Sequence, residues 1–340
     1  MSWKAVLGRQ ASECFVPPDA QPALDRGTLM LELDLSDVSA RQDILHMPWG
    51  HVTLRMFFKS EERVGLTIGD RSTFLDLGIQ PGLETLRLSF AWDCARGWAE
   101  LAQDRSETAS ILAVPASIPP SLPWQNVTRN RAITLADGVV YVAISDDVEP
   151  LGPAPAITAG TPVTTAHGLI PVEALRCGDL VMTTSGDLVP VLYKTARRVP
   201  TRGRFAPYRL RAPYLELKHD IIVGGDQHIE MRGSDVEYTF GKEAVFVAAK
   251  SLANGYAARL EPTGPFVTYH QIVLPTHDSI LVAGAALESL YVGRLRRHAG
   301  QLTRSILRKA HRNQLPEHAG IRHPALRRFD TIALLDQRAA

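Results

Sequence analysis

Histidine and cysteine are the residue types in this 340-residue chain whose side chains suit proton transfer or nucleophilic attack. An imidazole exchanges protons near neutral pH, and a thiolate is a strong nucleophile. The chain has eleven histidines and only three cysteines, Cys14, Cys94 and Cys177. An odd, widely spaced set of cysteines predicts neither a disulfide framework nor a zinc finger. The histidines lack a tight ligand spacing such as H-x-x-x-H, so we expect no metal and no other cofactor.

Several function classes lack their signature in this sequence. It has no G-x-S-x-G elbow, no Walker loop and no Rossmann glycine fingerprint, which argues against hydrolase, phosphoryl-transfer and dinucleotide chemistry. The formal net charge of +1 provides no overall field for nucleic acid. No apolar stretch approaches the roughly 20 residues of a membrane span, and the start has no Sec-type signal pattern. We expect a soluble protein, either cytoplasmic or exported by a signal-independent route.

Four sequence blocks follow one another through the second half of the chain. They are Ala156–Val181, Asp226–Met231, Val267–Ser289 and Arg322–Leu335. The first opens with Ala-Ile-Thr-Ala-Gly-Thr-Pro-Val and closes with Gly-Asp-Leu-Val, and the second carries His228. Their order and spacing resemble the Hint domain, the hedgehog/intein autoprocessing fold, and the last two blocks resemble a bacterial Hint subfamily. Together the blocks span about half of the chain.

The resemblance implies a particular chemistry. In the family, a thiol or hydroxyl on the first Hint residue attacks the preceding carbonyl and replaces an amide with a thioester or ester. A histidine protonates the leaving nitrogen, and a hydroxyl three residues before that histidine commonly assists. The resemblance assigns these roles to position 156, to His228 and to position 225, with a second catalytic histidine at His277.

The chain departs from the family pattern at three positions. Ala156 stands where the family has its nucleophilic cysteine, Gly225 where it has the hydroxyl, and Pro275 where an acidic residue often precedes the later histidine. Loss of a nucleophile alone removes on the order of a millionfold in rate where catalytic residues act as a unit. These departures favour lost activity and leave His228 and His277 as residual catalytic residues. An engineered Cys-to-Ala change is the alternative origin of Ala156.

Other nucleophiles near the start of the Hint region do not replace the missing one. Thr158 and Thr161 are close in sequence, but an acyl shift needs the side chain of the residue that follows the scissile carbonyl. Cys177 lies in a predicted turn, where we expect an inert thiol.

The elements that would hold these residues are mostly strands. Short alternating segments over residues 28–115 predict an N-terminal β-sandwich that weakly resembles concanavalin- or laminin-G-like lectin folds. Trp92 and Trp98 are predicted to pack its core, with a carbohydrate-stacking platform as the alternative. Asp70 and Asp76 are predicted to be turn and solvent-face residues rather than calcium ligands.

Further strands are predicted after residue 156, including a hairpin of 179–184 and 188–193. From Leu287 to Arg312, apolar residues recur at three- and four-residue intervals among arginines, which predicts one or two basic amphipathic helices. The solvated basic face could alternatively bind a membrane surface or a partner. The predicted fold is therefore mainly β: an N-terminal β-sandwich and a C-terminal Hint-type β fold with a basic helical segment.

The predicted boundaries are a sandwich over 1–150, a Pro/Gly-rich linker over 151–155, and a Hint-like domain over 156–340. Three hypotheses of function follow. The first is a Hint protein that has lost self-cleavage and acts as a binding or structural module without enzymatic activity. The second is active autoprocessing near Pro155–Ala156 by another nucleophile. The third is a lectin-like protein that binds a protein or glycan ligand through residues 1–150.

Overall fold

The computed structural model describes residues 2–8, 13–14, 23–36, 41–78, 85–104, 111–128, 132–253, 255–262 and 264–339. These residues divide into two compact units, of which the first ends at Leu151 and the second begins at Gly152.

The first unit is built almost entirely of strands. Strands β1 to β7 are Trp3–Leu7, Glu13–Cys14, Ala23–Leu24, Arg26–Asp34, Asp43–Trp49, Val52–Ser60 and Arg63–Ile68. Strands β8 to β14 are Arg71–Asp76, Thr85–Asp93, Trp98–Gln103, Leu112–Pro115, Leu122–Pro123, Thr134–Leu135 and Val139–Ser145. One short helix, α1, spans Trp124–Thr128.

Two antiparallel sheets of the first unit share a core. One has the order β11-β10-β9-β4-β14-β1-β2, and the other has the order β13-β5-β6-β7-β8. Alternate residues of β4 and β5 point into the core, such as Leu29, Leu31 and Met47. Residues 27–33 of β4 are all buried, so both faces of this central strand are covered, and every second side chain contributes to the core between the sheets.

The two tryptophans singled out in the sequence differ in burial. Trp92 is fully buried, and its ring stacks on Phe90 and meets Trp49 edge-on at a centroid distance of 4.8 Å. Trp98 is half-buried. Trp92 is therefore a core residue rather than part of a sugar-stacking surface.

The second unit has fourteen strands and three helices within the part of the chain that is described. Strands β15 to β21 are Ile157–Thr158, Pro162–Thr165, Gly168–Pro171, Leu180–Met182, Leu188–Pro190, Tyr193–Pro200 and Pro207–Leu210. Strands β22 to β28 are Ile221–Gly224, His228–Arg232, Ala244–Ala248, Ala258–Leu260, Phe266–Val273, Ser279–Val282 and Ala285–Glu288. The helices are α2 (Ser234–Phe240), α3 (Ala299–Arg304) and α4 (Arg328–Ala339).

Two sheets form the framework of the second unit. The first has the order β20-β26-β15-β22-β21-β25, so that short β15 lies between β22 and β26. The second has the order β19-β18-β16-β27-β28-β23-β24, with β17 paired to β16. The predicted hairpin is present as β18 and β19, with Leu180 opposite Pro190 and a turn at Gly186 (φ 87°). The predicted mainly β fold is confirmed.

The predicted basic helix over 287–312 is wrong in length. Only a 3₁₀ turn at Leu295–Arg297 and the six-residue α3 are helical there, apart from the first residue of a 3₁₀ turn at Arg312–Gln314. Leu295, Leu302 and Leu307 are buried in a small core, so the apolar spacing reflects packing by turns. The longest helix of the described chain is α4, which the sequence analysis did not predict.

No helix among the described residues combines the length and the apolar character needed to cross a bilayer. Within the same residues, no group of three histidine, cysteine, aspartate or glutamate side chains is arranged to hold a metal ion.

Candidate functional site

The ends of β15, β22 and β23 bring three predicted site residues to one place. Ala156 directly precedes β15, and its carbonyl accepts a hydrogen bond of 2.6 Å from the amide of Gly224, the last residue of β22. A turn through Gly225 then leads to His228 at the start of β23 and is closed by the Gln227 amide donating to the Gly224 carbonyl. Adjacent strand ends thus place the backbone of residue 156 beside the turn that carries the histidine.

A small cavity of about 90 Å³, partly open to solvent, lies at this junction. One wall is Pro153–Ala156, which includes most of the segment predicted as a linker. Pro153 and Pro155 are buried, so this part of the chain is packed rather than a free tether. The remaining wall residues are Arg204, Phe205, Gly224, Asp226, Gln227, His228, Tyr269, Gln271, Glu288, Ser289, Leu290, Tyr291 and Ile321.

Glu288 links the two predicted histidines. Its Oε2 atom lies 2.6 Å from Nδ1 of His228, and its Oε1 atom lies 2.9 Å from Nε2 of His277. The His277 N–H does not point along a linear hydrogen bond to that oxygen, so this second contact is mainly electrostatic. His277 is not among the cavity-lining residues, and its side chain is only 2% exposed. His228 therefore faces the cavity while His277 packs behind Glu288.

The charges of this cluster support an ion pair. Burial disfavours the charged form of His228, but the Glu288 carboxylate outweighs it and raises the pKa of His228 above its ordinary value. Burial likewise disfavours ionised Glu288, yet the two histidines lower the pKa of Glu288 to about 2. At neutral pH the carboxylate is ionised, and its two oxygens can only accept hydrogen bonds.

Two glutamine side chains fix the backbone around this pair. The amide of Gln271 donates to the side-chain oxygen of Gln227 (3.0 Å) and to the carbonyl of Glu288 (3.1 Å). The amide of Gln227 donates to the carbonyls of His228 (2.9 Å) and Glu288 (3.1 Å). These bonds tie the start of β23 to the end of β28, the two strand ends that carry the histidine and the carboxylate.

Gly225 occupies a crowded position. A Cβ atom added there would lie 3.0 Å from Cε2 of Tyr208 and 3.5 Å from the carbonyl oxygen of Arg204. A serine or threonine at residue 225 would therefore require the Tyr208 ring to shift. The Tyr208 ring therefore occupies the space that a side chain at residue 225 would enter.

The other predicted positions lie apart from the cavity. Pro275 is half-buried and is not among the cavity-lining residues. Cys177 is an exposed free thiol that does not line the cavity, and Cys94 belongs to the first unit. The side chain of Cys14 lies outside the described residues. Thr158 donates its hydroxyl to the carbonyl of Ile222 at 2.6 Å, which holds it as a structural residue.

Glu288 is the functional candidate that sequence reasoning missed. It is one of only two acidic residues in the block Val267–Ser289, and it ends the otherwise apolar strand β28. The signal available in the sequence was an acidic residue at the end of an apolar strand, in the block that also contains His277. Its contact with His228 could not be deduced, because that contact depends on how β23 and β28 pair.

Comparison with known proteins identifies the second unit. Residues 155–294 match the Hint domain family. No curated protein matches the chain. Among solved structures, a GSH-linked, splice-inactive variant of the AceL NrdHF class 3 split intein is 14% identical, with 40% of this chain and 97% of that chain covered at a TM-score of 0.27. The family match begins one residue before Ala156 and includes both histidines and Glu288, so residues 155–294 of this chain form a Hint domain.

Proposed function

We propose that this Hint domain does not cleave its own chain and that the protein acts as a binding or structural module. The proposed domains are residues 1–150 and 156–340, joined by residues 151–155. The observation that carries the proposal is Ala156 itself: the residue after the Pro155 carbonyl, on the wall of the cavity that holds His228, has a methyl side chain.

The chemistry of an acyl shift explains why a methyl group is decisive. The attacking atom must belong to the residue whose own nitrogen leaves, since the new ester or thioester then forms through a small ring. Ala156 has neither a hydroxyl nor a thiol. His228 can still hold and donate a proton, but a proton donor without a nucleophile does not break an amide bond at a useful rate.

Self-cleavage at Pro155–Ala156 by another group is the runner-up. The hydroxyls on the cavity wall belong to Tyr269, Ser289 and Tyr291. Tyr269 donates to the carbonyl of Phe205 at 2.9 Å, and burial raises its pKa, which makes it a poor nucleophile. The Ser289 hydroxyl oxygen accepts the amide of Asp278 at 3.3 Å. None of these three residues follows the Pro155 carbonyl in the chain, so none can perform the acyl shift at Pro155–Ala156, which favours the first hypothesis.

A glycan-binding role for residues 1–150 remains the third hypothesis. The complete burial of Trp92 removes one of its two candidate stacking rings. The half-buried Trp98 is the ring that remains for it.

The test restores the nucleophile. In an Ala156→Cys variant, the introduced thiol attacks the Pro155 carbonyl, the C–N bond breaks, and the amide nitrogen leaves as an amine after taking up a proton. Dithiothreitol then exchanges with the thioester and releases the N-terminal fragment. We expect dithiothreitol-dependent cleavage at residue 155 in this variant, detected by intact mass. The parent, which carries the exposed thiol of Cys177, is the matched control and should stay whole.

A second variant distinguishes one lost group from several. If Ala156→Cys stays whole, Ala156→Cys combined with Gly225→Thr and Tyr208→Ala supplies the hydroxyl and the space for it. Cleavage of the parent itself between residues 155 and 156 would overturn the proposal.

A further inference from the structure

The Glu288 carboxylate sits between two histidines that differ in their access to the cavity. Its side chain is 15% exposed, against 23% for His228 and 2% for His277. Glu288 and His228 both line the cavity, whereas His277 does not. The Glu288 carboxylate therefore contacts the buried His277 ring on the side away from the cavity and the His228 ring on the cavity side.

The hydrogen bonds fix the tautomer of His228. Because ionised Glu288 can only accept, the 2.6 Å contact requires that Nδ1 of His228 carries the proton. Neutral His228 then has an unprotonated Nε2, and protonated His228 has a second N–H at that atom. Within the described residues no hydrogen bond reaches Nε2, so it is the ring nitrogen left for a group in the cavity.

The tautomer of His277 is fixed from the opposite side. The backbone amide of Arg322 donates to Nδ1 of His277 at 3.1 Å. A neutral ring that accepts at Nδ1 carries its proton on Nε2, the atom 2.9 Å from Glu288. The guanidinium of Arg322 also pairs with Asp278 at 2.5 Å, which holds that amide beside the ring.

A ring cluster keeps both imidazoles in these orientations. His228 stacks on Phe246 at a centroid distance of 5.7 Å and an interplanar angle of 9°. His277 meets the same Phe246 ring edge-on at 5.9 Å and Tyr291 at 5.2 Å. Rotation of either imidazole would break these contacts together with its bond or ion pair to Glu288.

We propose that Glu288 is a positioning residue that holds His228 with Nε2 available at the Pro155–Ala156 bond, and that His277 acts through Glu288 rather than at that bond. This inference rests on the proposed function in one respect, since it takes His228 as the proton donor for the leaving nitrogen. It also divides the site into two halves. The proton-transfer half is complete, and the nucleophile half is lost at Ala156 and Gly225.

The unmodified protein provides the first test. Long-range ¹H–¹⁵N spectra of ¹⁵N-histidine-labelled protein report which ring nitrogen carries the proton. At pH values above the pKa of His228, we expect its neutral ring to carry the proton on Nδ1. We expect the neutral ring of His277 to carry its proton on Nε2. Neutral His228 with its proton on Nε2 would overturn the inference, and no substitution is involved.

A Glu288→Gln variant provides the second test. Loss of the carboxylate should lower the pKa of His228, because the opposing charge is removed while burial remains. Asp226 and Lys250 also face His228 and are unchanged in this variant. Glu237→Gln, which removes an exposed carboxylate on α2, is the matched control and should leave the titration of His228 unchanged. An unchanged His228 pKa in Glu288→Gln would contradict the proposal.

The third test measures cleavage in the Ala156→Cys background. General acid–base catalysis contributes about 10²- to 10⁴-fold, so Glu288→Gln should slow cleavage by at least about a hundredfold, whereas Glu237→Gln should not. Equal rates in both variants would overturn the positioning role. The two NMR measurements need no cleavage, so a failure of the proposed function is distinguishable from a failure of this inference.

Discussion

Two ring clusters, one in each unit, illustrate two uses of aromatic packing. In the first unit, Trp49, Phe90 and Trp92 pack with centroid distances of 4.8 to 6.0 Å and are all fully buried. In the second unit, a single buried ring, Phe246, is surrounded by three imidazoles. These belong to His228, His277 and His323, at 5.7, 5.9 and 5.4 Å.

The two clusters differ in whether their side chains can release or take up a proton. The first cluster contains no group that titrates at ordinary pH, so its contribution is burial and ring geometry. The second holds imidazoles against a phenylalanine, which excludes water from one face; the Glu288 carboxylate raises the pKa of His228, whereas burial lowers the pKa of His323. The first cluster stabilises a fold, and the second orients proton-carrying groups beside a cavity.

The largest expected effect breaks the first cluster. Trp92→Ala should lower the free energy of unfolding by about 3 to 5 kcal/mol, because it empties a fully buried site. Urea unfolding followed by circular dichroism measures this loss. Trp98→Ala, at a half-buried ring on the same sheet, is the control with a smaller expected loss. Equal losses in the two variants would show that the ring cluster does not contribute more to the free energy of unfolding than a half-buried ring does.

The second prediction concerns the charges of the second cluster. The pKa of Glu288, about 2 in the folded state, lies below the ordinary value of 4.5, so its stabilisation is present above about pH 4.5 and is lost as pH falls toward 2. The pKa of His228 is raised, so its contribution is present below about pH 6.5 and is lost as pH rises through its folded pKa.

The stabilisation by this ion pair is therefore largest between these two titrations. Glu288→Gln should cost on the order of 1 to 3 kcal/mol near about pH 5, and the difference from the parent should shrink toward about pH 2. Urea unfolding at a series of pH values measures it, with Glu237→Gln as the control. A difference that does not change with pH would contradict the ion pair.

The smallest expected effect comes from replacing the Phe246 ring of the second cluster by a smaller apolar side chain. Phe246→Leu keeps an apolar side chain but removes ring atoms from a fully buried site, and it should cost on the order of 1 kcal/mol. It should nevertheless move the ring-proton chemical shifts of His228, which stacks on Phe246. Phe90→Leu, in the first cluster, should cost a similar free energy and leave those shifts unchanged. Unchanged shifts in Phe246→Leu would mean that the stacking does not persist in solution.

The sequence predicted much of the fold and of one half of the site. Alternation of apolar residues marked the sandwich strands, since period-two burial is local information. The block order located Ala156, Gly225 and His228, which the structure brings to one junction through the ends of β15, β22 and β23. The structure puts His277 behind Glu288 rather than on the cavity wall.

What was missed depends on contacts between distant segments. Glu288 meets His228 only because β23 and β28 are neighbours in one sheet, and the sequence does not specify that pairing. The helix expected over 287–312 was wrong because buried leucines at helical spacing also fit a chain of turns around Val273 and Leu315. Composition predicts residues 151–155 as a linker, but it does not indicate that Pro153 and Pro155 also line the cavity.

The most direct test of the central claim is the intact mass of freshly purified parent protein, followed over days with and without dithiothreitol. The account predicts a single species of full-length mass under both conditions, because Ala156 offers no nucleophile to the Pro155 carbonyl. The appearance of fragments that end at Pro155 and begin at Ala156 would contradict it.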